Sequence, residues 1–231
     1  MPNLTIKAAD GGQFSAYLAT PKSGKGPGIV VIQEIFGVNA GIRAIADRLA
    51  GHGFTALAPD LFWRLEANIQ ITDKTEAEWK QAFDLFNRFD QNQGIEDIKA
   101  TLAALRKHPA CTGKAGAVGY CLGGRLAFMC ATRTDIDASV GYYGVGLEGL
   151  LGEAKNLKKP LMLHIAEEDK FVDKASQAKI KDGLKGNRLV TVHSYPGCDH
   201  AFARVDGQHT DKAAAALADG RTETFLRQHL A

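Results

Sequence analysis

Three residues carry the chemistry that this chain's spacing suggests. Cys121 sits in the run Gly119-Tyr120-Cys121-Leu122-Gly123, with Gly124 beyond, where an apolar strand pattern turns into a helical one. A nucleophile raised on a sharp strand-to-helix turn needs small neighbours so that backbone can approach backbone. A helix beginning at Leu122 would also aim its unpaired N–H groups at the thiol and favour its anion. Such a sulfur needs a base and an acid to orient that base, in the chain order nucleophile, carboxylate, histidine. Asp169 follows the apolar run "LMLHIA", and His200 lies in the Pro-Gly loop after "VTVHSY". Each has a plainer reading. A free cysteine is often a small buried apolar residue. Asp169 or Asp173 could cap the next helix, and His200 could be a solvated loop residue. Their agreement in order and placement favours the chemical reading.

These three residues need strands whose carboxyl ends fall together. "LTIKA" and "QFSAYLA" read as a strand pair across a Gly-Gly turn. "IVVIQE" reads as a strand buried on both faces. Helical spacing at Ile42, Ile45, Ala46 and Leu49 follows, then the strand "FTALAPDLF". Residues 63–74 look irregular, and helices are expected over about 75–88 and 91–107. From there "KAGAVGY", "IDASVGYYG", "PLMLHIAEED" and "RLVTVHSY" read as strands. They are separated by helices at "LGGRLAFMCATR" and "DKASQAKIKDGL", and a last helix is expected near 211–229. Strands alternating with helices predict an α/β fold: a mostly parallel central sheet with helices on both faces, led by an antiparallel N-terminal pair. The fold is expected to be one domain over residues 1–231, with 63–94 the one stretch that could form a cap. His164, inside an apolar strand, reads as a satisfied core residue. His193 and His229 read as solvent-facing.

Composition removes several function classes. The formal charge is +2 with no basic block, so no nucleic-acid partner is expected. No apolar stretch approaches the roughly eighteen residues of a membrane helix, so no membrane partner is expected. The opening "MPNLTIKAADGG" lacks a charged segment followed by an apolar core, so no secretory leader is expected. Cys111, Cys121, Cys130 and Cys198 form no close pair and are read as reduced thiols of a cytoplasmic protein. A chain of 231 residues can bury its own core, which makes a monomer the default.

The segments "VIQEIFGVN" (31–39), "APDLF" (58–62), "VGYCLGG" (118–124), "VGYYGVGLE" (140–148), "EEDKFV" (167–172) and "HAFAR" (200–204) together resemble the dienelactone hydrolase (carboxymethylenebutenolidase) family of the α/β-hydrolase fold. The resemblance implies Cys121 as nucleophile, His200 as base and Asp169 as the orienting carboxylate. It implies that Glu34 sits beside a largely protonated resting thiol and swings to help form the thiolate. The oxyanion hole would come from the backbone N–H groups of Ile35 and Leu122; for Leu122 the elbow argument agrees. Arg204 matches an arginine that grips a substrate carboxylate, and Tyr143 falls in a matching segment as a substrate-binding residue. No cofactor and no metal are implied. The partner is a small lactone or ester.

The match fails at one place. Relatives that act on dienelactone carry a second carboxylate-binding arginine just before the helix near residue 80, where this chain has Trp79, and an aromatic hydroxyl where it has Phe83. Both are expected to line the substrate end, although Trp79 reads equally as a helix residue covering core. The expected activity is hydrolysis of a dienelactone-like lactone or small ester through an acyl-thioester. The alternatives are a thiol-dependent esterase for uncharged substrates, a non-catalytic binder of small carboxylates, and a metal or redox protein using Cys121, Cys198, Asp169 and His200.

Overall fold

A computed structural model of the chain describes residues 3–231. Met1 and Pro2, which begin both the expected domain and the stretch read for a leader, lie outside the described residues. The chain divides into two compact units, residues 1–115 and 116–231, with the division inside a strand.

The first unit begins with β1 (Asn3–Lys7) and β2 (Gln13–Ala19), an antiparallel pair in which Thr5 faces Ser15. β2 also pairs antiparallel with β4 (Thr55–Pro59), and β4 lies parallel to β3 (Gly26–Ile32). From Gly28 to Ile32, β3 is buried throughout, as its unbroken β-branched run requires. It ends two residues short of the expected limit, leaving Glu34 and Ile35 just past the strand. Helix α1 (Ala40–Gly51) starts on Asn39, whose side chain accepts the Ile42 N–H, and buries Ile42, Ile45, Ala46 and Leu49. Helices α2 (Glu76–Arg88) and α3 (Gln91–Lys107) fill the segment expected to be helical. The start of α2 is a reciprocal cap: the Thr75 hydroxyl receives the Glu78 N–H and donates to the Glu78 carboxylate.

The second unit is an all-parallel run. β5 (Cys111–Tyr120), β6 (Ala138–Tyr142), β7 (Leu161–Ala166) and β8 (Val190–Tyr195) pair in that order. β5 starts at Cys111, three residues ahead of the expected "KAGAVGY" run. Helix α4 (Leu122–Arg133) follows β5 at once, with α5 (Lys174–Leu184) and α6 (Lys212–Leu230) after β7 and β8. A 3-10 segment, Leu147–Asn156, was not foreseen. It packs Leu147 with Phe128 of α4, Leu161, Leu163 and Ile165 of β7, and Ile180 and Leu184 of α5 in one apolar cluster. Among the described residues, no helix is long and apolar enough to cross a membrane.

Candidate active site

The elbow is built by exclusion. Cys121 has φ 56° and ψ −114°, a backbone conformation that costs a non-glycine residue about 1–3 kcal/mol. Its N–H is tied to the Tyr142 carbonyl at 3.1 Å, and its own carbonyl accepts from Gly124 and Arg125. A Cβ at position 119 would stand 1.9 Å from the Gly123 carbonyl oxygen. A Cβ at position 124 would stand 2.3 Å from the Tyr142 carbonyl oxygen. The two glycines are therefore what allows the strand to turn into α4 within one residue. Leu122 opens α4, so its N–H is among the first four of the helix, which have no acceptor within it. The Cys121 side chain makes no capping bond to the helix.

The loops after β7 and β8 are stitched together. Glu167 N–H donates to the Tyr195 carbonyl at 3.1 Å and Glu168 N–H to the Cys198 carbonyl at 2.8 Å. That sets Asp169 beside His200. One Asp169 oxygen accepts the N–H groups of Phe171 and Val172 (2.8 and 3.1 Å), and the other meets His200 Nδ1 at 2.8 Å. Asp169 does not cap α5; Asp173 does, accepting the Ser176 N–H at 2.7 Å. With Nδ1 committed to the carboxylate, Nε2 is the nitrogen left for the sulfur, and His200 hydrogen-bonds with Cys121 as well as with Asp169. Burial works to lower the imidazole pKa, but the charges and hydrogen bonds of Cys121 and Asp169 outweigh it and push the pKa up to about 10. Cys121, Asp169 and His200 are all nearly closed off, at 6%, 5% and 4% exposed. Burial alone thus does not separate a nucleophile from a core thiol; what sets Cys121 apart from the other cysteines is its positive φ.

Aromatic rings frame the histidine. Tyr143, at φ 37°, donates its N–H to the His164 carbonyl at 2.8 Å and presents its ring edge-on to His200, centroids 5.1 Å apart. Phe171, 48% exposed, meets the same imidazole at 4.8 Å. Sequence reasoning passed over Phe171, which lies two residues after Asp169. Ala201, next to His200, is also at positive φ, 62°. Arg204 is half-buried in this loop, and its carbonyl accepts the Thr210 hydroxyl at 2.6 Å. His164 is fully buried, with its ring nitrogens bonded to Tyr195 and Thr222 hydroxyls (2.7 and 2.9 Å), the satisfied core residue expected.

The remaining candidates belong to the first unit. Glu34 and Ile35 follow β3 and are buried, and the Glu34 carbonyl accepts from the Gln33 side chain at 3.3 Å. On α2, Trp79 stacks on Phe83 at 5.5 Å and meets Phe36 edge-on at 5.0 Å, with its indole N–H on the Asp73 carbonyl. Phe83 is 40% exposed. Among the described residues, no three His, Cys, Asp or Glu side chains are grouped to hold a metal ion. All four cysteines are free of disulfides.

An α/β architecture with a thiol at a strand-to-helix elbow defines the class, and comparison with known proteins narrows it. Residues 14–230 match the dienelactone hydrolase family. A provisionally named carboxymethylenebutenolidase of Azospirillum brasilense is 51% identical, each chain fully covered. The carboxymethylenebutenolidase of Pseudomonas putida is 39% identical over 96% of this chain and 94% of its own. A crystal structure of a provisionally named dienelactone hydrolase from Klebsiella pneumoniae superposes with a TM-score of 0.86 at 26% identity, covering 98% of both chains. The chain belongs to the dienelactone hydrolase family, with the α/β-hydrolase fold, and is a hydrolase acting on ester bonds.

Proposed function

We propose that this chain opens a dienelactone-like lactone or cleaves a small ester with Cys121 as nucleophile, His200 as general base and Asp169 as the carboxylate that orients the imidazole. The observation that carries this reading is His200 bonded on one side to Asp169 and on the other to a thiol held at a strained elbow. The unbroken family match over residues 14–230 supports treating 1–231 as one functional domain.

The thiolate attacks the carbonyl carbon, and the tetrahedral oxyanion accepts the N–H groups of Leu122 and Ile35; removing one such donor typically costs two to three orders of magnitude in turnover. The carbon–oxygen bond breaks as the thioester forms. The imidazolium hands its proton to the departing oxygen or, where the leaving group is an enolate, to the enolate carbon, which leaves His200 neutral. Water then gives a proton to His200 and attacks the thioester, releasing the acid and restoring the sulfur. Glu34 tunes the thiol before substrate arrives. Arg204 receives a substrate carboxylate through its planar fork, while Tyr143, Trp79 and Phe83 contact the substrate body. The protein acts as a cytoplasmic monomer without a cofactor.

Steady-state hydrolysis of cis- and trans-dienelactone beside simple esters tests the reading, with Cys121→Ala as control. Turnover by wild type and none by the variant supports it; full activity in the variant refutes the nucleophile. A second reading, a thiol-dependent esterase for uncharged substrates, is favoured by the Trp79–Phe83 stack, which brings an apolar surface where relatives bring a cation. Neutral esters outrunning carboxylated lactones would select it.

A further inference from the structure

At the amino ends of β7 and β8, opposite the ends that carry Asp169 and His200, the second unit holds a cleft of about 720 Å³ between these strands and α6. That volume falls in the range of small-molecule sites. Arg188, Arg221, His193 and His229 line it, with no carboxylate among its lining residues. Leu189 and Leu217 contribute apolar surface, and Leu217 is 51% exposed.

The arginines of this cleft differ from others in the chain. Arg64, Arg88, Arg133 and Arg227 each bind an aspartate or glutamate. Among the described residues, neither Arg188 nor Arg221 has a carboxylate partner. Arg221 is nonetheless held in place: it donates to the Tyr195 hydroxyl at 3.2 Å and lies 5.5 Å from the centre of that ring. Tyr195 is anchored in turn by His164 at 2.7 Å. The nearby acids of α6 are engaged elsewhere, Asp219 with the Tyr142 hydroxyl and Glu223 with Arg227. His193 is half-buried and stacks on His164, and His229 packs on Phe225, so neither is the solvated residue the sequence suggested. Burial, and after it the charge of Arg221, holds the His193 pKa below its usual value. Cationic groups along one cleft whose lining holds no carboxylate are an arrangement that a bound anion would relieve.

We propose that this cleft is a second ligand site, separate from Cys121, that takes a small amphipathic anion: a carboxylate head between Arg188 and Arg221 and a short hydrocarbon body along Leu189 and Leu217. The proposal does not depend on the hydrolase mechanism, because none of these residues takes part in it.

Calorimetric titration of the whole chain with octanoate tests this, with acetate and octan-1-ol as head-only and body-only probes. The expected result is saturable one-to-one binding of octanoate, at least about tenfold tighter than either control. Arg188→Gln and Arg221→Gln are each expected to weaken it about tenfold or more, the loss of one charge-assisted contact. Arg188 is exposed, so its variant folds even if Arg221→Gln disturbs Tyr195. Ester hydrolysis should be unchanged in Arg188→Gln, and octanoate should bind Cys121→Ala as it binds wild type. Octanoate affinity that ignores both arginine substitutions places the ligand elsewhere and overturns the proposal. Octan-1-ol binding as tightly as octanoate overturns it too. So does a dimer in light scattering that Leu217→Asp dissociates, since a second copy would then occupy the cleft.

Discussion

The turn after β5 and the aromatic face of α2 are both rich in unusual residues, yet they are constrained in opposite ways. At the turn, Gly119 and Gly124 each face a backbone carbonyl closer than any Cβ could tolerate, and Cys121 is held at positive φ. Neither glycine can take a side chain without moving main chain. On α2, Trp79 and Phe83 touch Phe36 and each other through ring contacts, and Phe83 is open to solvent. Side chains of other shapes could fill that surface. On the proposed reading, the difference teaches that the chemistry is fixed by backbone geometry, whereas the choice of substrate rests on surfaces that packing alone leaves free.

The sharpest way to break this comparison is at the sulfur. Cys121→Ala is expected to lower kcat/KM for any ester substrate by about four orders of magnitude or more, the scale seen when a nucleophile is deleted from a triad. Cys121→Gly should be equally inactive but should melt a few degrees higher than Cys121→Ala, because glycine adopts this φ without strain. At an ordinary site glycine is the less stable of the two. A melting temperature for the glycine variant at or below that of the alanine variant would show that the elbow stores no strain. Gly119→Ala should cost more than the 1–3 kcal/mol of common overpacking, since the clash is with the Gly123 carbonyl rather than a movable side chain; denaturant unfolding measures it.

Asp169→Asn comes next. It keeps the shape but weakens the hold on the His200 Nδ1 proton, and loss of turnover by up to about 10⁴-fold is expected from the comparable change in serine enzymes. The imidazole should report the same contacts directly. Nitrogen-15 NMR should find His200 titrating near pH 10 in wild type and lower in Cys121→Ala and in Asp169→Asn, because the sulfur and the carboxylate raise it against burial. The linkage follows from that sign. A pKa raised above the unfolded value of about 6.5 gives stability fully present below that pH and lost as pH rises through about 10. The melting difference between wild type and His200→Gln should therefore shrink between pH 6.5 and 10. A constant difference would mean that the imidazole is not held charged.

The same contrast explains what could be read in advance. The Gly-x-Cys-x-Gly run, the alternation of strands with helices, and the positions of Asp169 and His200 after apolar strands are local patterns with one geometric solution, so the fold and the triad candidates were legible. α4 begins at Leu122, as its pattern indicated. The 3-10 segment at Leu147–Asn156 was not legible, because its leucines are spaced to fill a gap between α4, β7 and α5 rather than to keep a helical period. Phe171 escaped notice because an exposed phenylalanine in a loop carries no pattern; only the turn imposed by Asp169 brings it onto His200. His193 and His229 looked solvated because their strand and helix faces are polar in sequence, while the stacking that half-buries them comes from His164 and Phe225.

The smallest expected effect is the one that probes α2. Aromatic pairs of this kind contribute about 0.5–1.5 kcal/mol, so a change there should move specificity only several-fold. Trp79→Arg replaces the stacked indole by a guanidinium, the cation that the resemblance leads one to expect near this point. It is expected to shift the ratio of kcat/KM for a carboxylated lactone over a neutral ester about fivefold or more toward the lactone, with kcat for the neutral ester nearly kept. Because Trp79 also covers Phe36, the variant's melting temperature must be measured alongside, and Phe83→Leu, which leaves Phe36 covered, should lower neutral-ester kcat/KM by a smaller factor. If neither substitution moves the ratio while stability falls, the aromatic face of α2 is packing alone. The substrate end would then have to be sought among Tyr143, Phe171 and Arg204, within the backbone-fixed half of the comparison.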